Sequence, residues 1–220
     1  LPVSERSSED MERELMENIA SLKDPHLKAL LLCFMEDREL REGLRRCPAG
    51  KALHHAYIGG LIEHILSLMG AAKLLARHYS RLNGDILVAA AFLHDIGKVK
   101  ELSFTRAFNY TDEGQLIGHI GLGLCLLHEK ARSVPGLPPD VLLQLEHILA
   151  SHHGLPEHGA LKYPMTPEAI AFHYLDNLDA KLATLDALEK ELRLSGAATD
   201  QDRRWTDYKP ALGRRIFFPG

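Results

Sequence analysis

The chain has 220 residues, 45% apolar and 25% charged, enough for one large or two small globular domains with a sizeable core. With 26 Lys plus Arg against 30 Asp plus Glu the net charge is −4, so any nucleic-acid binding must rest on a local site rather than on bulk attraction. Cys33, Cys47 and Cys125 are widely spaced with no Cys-x-x-Cys, which argues against a disulfide framework and a thiolate zinc site and points to the reducing cytoplasm. The apolar runs around residues 29–35 and 86–93 fall far short of the roughly 20 residues that span a bilayer, so no membrane partner is expected, and the polar first residues are not a signal peptide. Leu1 stands where an initiator Met is usual, so the chain is expected to be an excised piece with a domain upstream. Histidine is the compositional outlier, with thirteen residues concentrated in the middle of the chain.

In chain order, Ser7 to Leu22 predicts an amphipathic helix, with Ser7 and Asp10 at capping-box spacing. Asp24-Pro25 opens a second helix running to about Arg46, which Cys47-Pro48 stops. Ala52 to Tyr79 predicts a third, with Leu61, Ile65, Leu68, Ala72 and Leu75 on its core face and His64 on or beside it. Gly59-Gly60 permits close backbone approach, and His54-His55 either lines a mouth or is a polar helix end. Asn83-Gly84 reads as a turn and Asp85 as the cap of a helix from Ile86 to Asp95, with Gly97 at the left-handed C-cap position.

That helix is the anomaly of the chain, because eight apolar residues lead into His94, Asp95 and Lys98. A carboxylate placed against a core must be paired or bound to metal. An Asp–Lys ion pair at the helix end is the simpler alternative. Ser103 to Asp112, with Phe104, Phe108 and Tyr110, reads as a loop or small hairpin close to this end. Helix resumes from Glu113 to Arg132 with His119 on the face of Leu122 and Leu126, and Gly118, Gly121 and Gly123 permit close packing around it. Another helix runs from Pro139-Asp140 to Ser151-His152-His153-Gly154, where His152 continues the apolar face. Thr166-Pro167-Glu168 starts a last helix to about Leu194, with Leu175, Leu178, Leu182 and Leu185 as its core stripe and Phe172, Asp176, Asp179, Ala180 and Ala183 on a neighbouring face. The tail from Ser195 is polar, then aromatic and basic, suited to packing on the helices, to a partner subunit or to nucleic acid.

His64, His94-Asp95, His119, His152-His153 and Asp176 thus lie on five separate helices at core-facing or helix-end positions, and a helical bundle can bring such residues to one point. Imidazole and carboxylate without thiolate suit Mn, Fe, Co, Ni or Zn rather than Ca.

His64, then His94-Asp95 within His-Asp-Ile-Gly-Lys, then Asp176, resembles the HD superfamily of metal-dependent phosphohydrolases over about Ala49 to Lys190. His119 and His152-His153 are similar to members that hold two or more metals. The stretches from Pro48-Ala49 to His64, Leu116 to Ile120, Ser151 to Gly154, Pro164 to Thr166 and Asp176 to Lys181 further resemble the YhaM-type 3′-5′ exoribonucleases. Leu155-Pro156-Glu157 stands where the HD-GYP phosphodiesterases carry Gly-Tyr-Pro.

The resemblance implies an all-α HD bundle over residues 48–194, with N-terminal helices (1–47) packed on it, a partly irregular tail (195–220) and an upstream OB-fold domain outside the chain. It implies a phosphodiesterase acting on RNA or short oligonucleotides from the 3′ end, with free or cyclic nucleotides as the runner-up substrate and a non-catalytic, metal-stabilised binding module as a reading of another class. His64, His94, Asp95 and Asp176 would hold a first divalent ion, and Asp95 would bridge to a second held by His119 and His152, at a spacing of about 3.5–4 Å. The ions implied are Mn, Fe, Co or Ni before Zn, with no organic cofactor. Asp95 and Lys98 are the expected catalytic residues, Lys98 neutralising charge on the phosphoryl oxygens. His153 is expected as a further ligand, a substrate contact or a support, His55 as a substrate contact or support, and Asp179 as an orienting carboxylate. Self-association is left open.

Overall fold

A computed structural model describes residues 3–50, 57–103, 109–194 and 204–219. Among these residues the chain is mostly helical, with one small two-stranded hairpin. The helices are α1 (Ser8–Ala20), α2 (Pro25–Glu36), α3 (Arg38–Arg46), α4 (Gly60–His78), α5 (Gly84–Leu93), α6 (Lys98–Glu101), α7 (Asp112–Leu116), α8 (Gly118–Ala131), α9 (Pro139–Ser151) and α10 (Pro167–Leu194). The strands β1 (Leu102–Ser103) and β2 (Asn109–Tyr110) pair antiparallel, Leu102 opposite Tyr110, as the small-hairpin reading expects; Phe104 and Phe108 lie outside the described residues.

Side chains set the start of several helices. Ser7 caps α1 by accepting the Asp10 N–H, and Asp24 caps α2 by accepting those of His26 and Leu27. The single helix expected from Pro25 to Arg46 is two, because Asp37 adopts an extended backbone and its carboxylate accepts the Leu40 N–H to start α3. α5 is capped by Asn83, not Asp85; the Asp85 carboxylate instead accepts the N–H groups of Lys23 and Asp24 and so ties the start of α2 to α5. The expected helix over Glu113–Arg132 is broken at Gly118, whose φ of +77° is left-handed and ends α7 before α8 begins. α4 starts at Gly60 rather than Ala52, and His54 and His55 lie outside the described residues.

The chain forms two compact units, Leu1–Asp179 and Ala180–Gly220. In the first, α5 is buried along Ile86–Leu93 and packs against α2, α4 and α9. Leu30 and Phe34 of α2, Leu61, Ile65 and Leu68 of α4 and Leu145, Ile148 and Leu149 of α9 belong to the same core, with Phe34 edge-on to Phe92 at 5.7 Å. Each large apolar side chain among them contributes about 1.5–3 kcal/mol of burial, which holds α5 firmly in the unit.

The faces of α10 match those expected only in part: Leu175 packs against the core, but Ala169 and Phe172 are buried while Leu178 and Leu182 are 54% and 51% exposed. The Phe172-Asp176-Asp179 row therefore faces the bundle, because it has buried histidines to meet. In the second unit, Trp205 pairs with Phe217 and Lys209 with Arg214 across a turn at Pro210–Leu212, with the Trp205 and Phe217 rings 4.9 Å apart. No helix among the described residues is long and apolar enough to cross a membrane.

Candidate metal centre

The C-terminal end of α5 turns directly into α6 through His94-Asp95-Ile96-Gly97, where the Lys98 N–H bonds the Asp95 carbonyl at 2.9 Å. Gly97 is not the left-handed cap expected, since its φ is −62°. Glycine is needed there for room: a methyl group would overlap the carbonyl oxygen of His119. The first turn of α8 thereby rides on the His-Asp turn and brings His119 to Asp95. α4 supplies His64, the end of α9 supplies His152 and His153, and α10 supplies Asp176 and Asp179.

Asp95 lies at the middle of these groups, 4% exposed. Its Oδ2 lies 3.2 Å from His94 Nε2, which is 3.3 Å from His64 Nε2. Asp176 Oδ1 joins this group at 3.1 Å from His64 Nε2 and 3.8 Å from His94 Nε2. The other oxygen, Oδ1, faces His119 Nε2 at 3.5 Å and His152 Nε2 at 3.8 Å. His119, His152 and His153 present ligand atoms within 4.8 Å of one another.

The outer nitrogens of His64, His94, His119 and His152 are held. His94 Nδ1 donates to the Ala91 carbonyl at 3.0 Å, His152 Nδ1 to the Leu149 carbonyl at 2.8 Å, and His64 Nδ1 to Asp179 Oδ2 at 2.7 Å. His119 Nδ1 lies 3.2 Å from Glu101 Oε1. Carbonyls and carboxylates only accept, so these bonds place the proton on Nδ1 and aim each Nε2 at the centre. For His119 and His152 the result is a nitrogen lone pair facing a carboxylate oxygen. Asp95 Oδ1, His119 Nε2 and His152 Nε2 are buried and find no hydrogen-bond partner in the protein. Such atoms are costly unless a cation lies among them, and imidazole with carboxylate is the donor set of a divalent transition metal.

The first group is satisfied differently. Burial opposes charging His64, but hydrogen bonds to Asp176 and Asp179 outweigh it and raise its pKa to about 9. Burial also opposes the Asp95 charge, yet Lys98 and His94 hold its carboxyl well below the usual range. Lys98 Nζ donates to Asp95 Oδ2 and to the Ala49 carbonyl, both at 2.5 Å. The Asp–Lys pair weighed as the simpler alternative thus forms, but it is buried and one member of a larger cluster. Burial and neighbouring imidazoles push His152 well below its ordinary value, leaving its lone pair available.

The structure thus brings together His64, His94, Asp95, His119, His152, His153 and Asp176, sets Asp179 on His64 and Lys98 on Asp95, and leaves His55 outside the described residues. Three supporting residues escape the sequence reading. Ser67 hydrogen-bonds the second oxygen of Asp179, and only its place one turn after His64 hints at this. His173 Nδ1 donates to the His152 carbonyl at 2.7 Å, its ring filling the space beside Gly154. Glu101, 8% exposed, carries no sequence signal beyond being a lone acid one turn after Lys98.

Comparison with known proteins agrees with this geometry. The family model for the HD domain matches residues 61–181, more than half of the chain. The chain is 38% identical over 183 residues to the 3′-5′ exoribonuclease YhaM of Geobacillus sp. (strain WCH70), covering 83% of this chain and 56% of that protein. It is 37% identical over 182 residues to YhaM of Bacillus subtilis (82% and 57%), and 44% identical over 144 residues to that of Bacillus licheniformis (65% and 46%). The chain therefore spans about half the length of these curated relatives. No solved structure matches at a significant level. With the matched region running from α4 through the His-Asp turn to the acidic row of α10, the chain belongs to the HD domain family.

Proposed function

We propose that this chain is the hydrolytic part of a metal-dependent phosphodiesterase that removes nucleotides from the 3′ end of RNA or short oligonucleotides. The observation that carries the proposal is Asp95, buried between two groups of imidazoles whose inward nitrogens face its two oxygens. His64, His94, Asp95 and Asp176 would hold one divalent ion, and Asp95, His119 and His152 a second with His153 beside it, the ions being Mn, Fe, Co or Ni before Zn. When bound, such ions polarise a phosphoryl oxygen and bring the pKa of a water near neutral.

The protein's own part is orientation and charge. Asp179, two carbonyls and Glu101 fix the four imidazoles, so the ligands need not reorganise during the reaction. Lys98 offsets the buried charge of Asp95 and is assigned to neutralise charge on the phosphoryl oxygens. His153 serves as a further ligand, a substrate contact or a support, and His55 as a substrate contact or a support. The relatives' name supports RNA as substrate, and three free cysteines support a cytoplasmic setting.

The test is divalent-dependent release of nucleoside monophosphates from an oligoribonucleotide, compared at equal concentration with a cyclic dinucleotide and a mononucleotide. The proposal expects the oligoribonucleotide to be preferred and turnover to vanish in Asp95→Asn. Preference for a free or cyclic nucleotide overturns the substrate, and no turnover with any metal makes the chain a binding module.

A further inference from the structure

Glu101 is a buried carboxylate that neither the motif nor the proposed ligand set uses. One oxygen, Oε1, accepts the backbone N–H of His119 at 2.9 Å and lies 3.2 Å from Nδ1 of the same residue. One atom thus holds both the main chain and the ring of His119 at the point where Gly118 starts α8 with a positive φ.

Glu101 is itself clamped from behind. Its carbonyl accepts the Thr111 N–H at 2.9 Å and the Thr111 hydroxyl at 3.2 Å. Gly114 presses against its backbone so closely that a methyl group there would overlap the Glu101 carbonyl oxygen. A carboxylate oxygen accepts and does not donate, so the proton between Oε1 and the His119 ring sits on Nδ1.

We infer that Glu101 is a positioning residue: it holds His119 in the Nδ1–H tautomer and aims His119 Nε2 at Asp95 Oδ1, so that His119 can serve the second metal group. Of the four anchored imidazoles, His94 and His152 use carbonyls three residues earlier on their own helices, whereas His119 lies too near the start of α8 to have one there and takes a carboxylate from α6. The inference rests on the two-ion reading above. It also makes a distinction that the reading does not contain, because the position of the acceptor oxygen matters more than its charge.

The test uses Glu101→Gln, which keeps an acceptor oxygen at the same reach, and Glu101→Asp, which keeps the charge but withdraws the oxygen. Two readouts are taken on the whole chain: the His119 tautomer in metal-free protein by nitrogen-15 NMR, and Mn²⁺ affinity by calorimetric titration. In wild type and Glu101→Gln the Nδ1–H form should dominate and both ions should bind alike. In Glu101→Asp the tautomers should mix and one ion should bind roughly 10–100-fold more weakly, the usual scale for losing such support. A wild-type tautomer and affinity in Glu101→Asp overturns the inference, as does a Gln variant that fails like the Asp variant. His119→Ala in the same titration separates the premises: if it binds Mn²⁺ as wild type does, the two-ion reading fails, while the tautomer still reports on Glu101 by itself.

Discussion

The two groups that share Asp95 are built from the same residue types and are neutralised in opposite ways. Around Oδ2 the protein supplies its own positive charge, Lys98 on Asp95 and a readily protonated His64 between Asp176 and Asp179. Around Oδ1 it supplies none: two imidazoles present lone pairs to a carboxylate oxygen, and all three atoms are buried without a partner. The first group carries its own counter-charges as it stands. The second is complementary to a cation and to little else, so it should gain most from one.

Removing the shared residue is the largest test of this contrast. Asp95→Asn should abolish phosphodiester hydrolysis by roughly 10²–10³-fold or more, the scale of losing one preorganised electrostatic group, measured on an oligoribonucleotide with divalent metal present. Equal activity in the variant would break the comparison altogether.

Metal addition comes next. An ion at 100 times its dissociation constant stabilises the fold by about 2.7 kcal/mol, so Mn²⁺ should raise the melting temperature of wild type, read by calorimetry. His119→Ala should lose part of that gain, with metal analysis of the purified variant showing fewer ions than wild type. An undiminished gain would mean that the partnerless group is not where the ion binds.

Gly97→Ala sharpens the comparison by leaving the identity of every candidate ligand unchanged. The added methyl must push the His119 carbonyl away, and overpacking of this kind costs about 1–3 kcal/mol in urea denaturation. Because the push falls on α8 and not on α4 or α10, the variant should lose affinity in the second group while His64, His94 and Asp176 keep theirs.

The smallest effect lies outside the centre. Asp37 caps α3 and accepts from Lys130 at 2.7 Å, so Asp37→Ala should cost about 1 kcal/mol and leave hydrolysis unchanged. The Lys130 ammonium holds the Asp37 carboxyl below its ordinary value of 3.8. The ionised form is therefore the stabilising one: its contribution is present above that value and lost as pH falls through the lower folded value. Acid titrations of wild type and variant should converge only below about pH 4.

The candidate ligands were legible, because each is a polar residue interrupting an apolar helical stripe or ending an apolar helix. His64 falls between Leu61 and Leu68, His152 follows Ile148, and His94-Asp95 follows eight buried residues. The anchors of those ligands were less legible. A carbonyl three residues back leaves no trace in the side-chain pattern, and Glu101 looks like any surface acid until α7 and α8 close over it. α10 was misread in part for the same reason, since its leucines outnumber the residues that face the bundle and periodicity cannot tell which face meets buried histidines.

The sequence alone therefore determined the all-α class, the residues able to bind metal and their HD family pattern, since period, burial cost and ligand chemistry act locally. Only the tertiary structure decided which oxygen of Asp95 meets which imidazoles, which backbone groups set the tautomers, and why Gly97 must be glycine. Those are distances between α4, α6, α8, α9 and α10, and they come from how the helices pack rather than from any one of them.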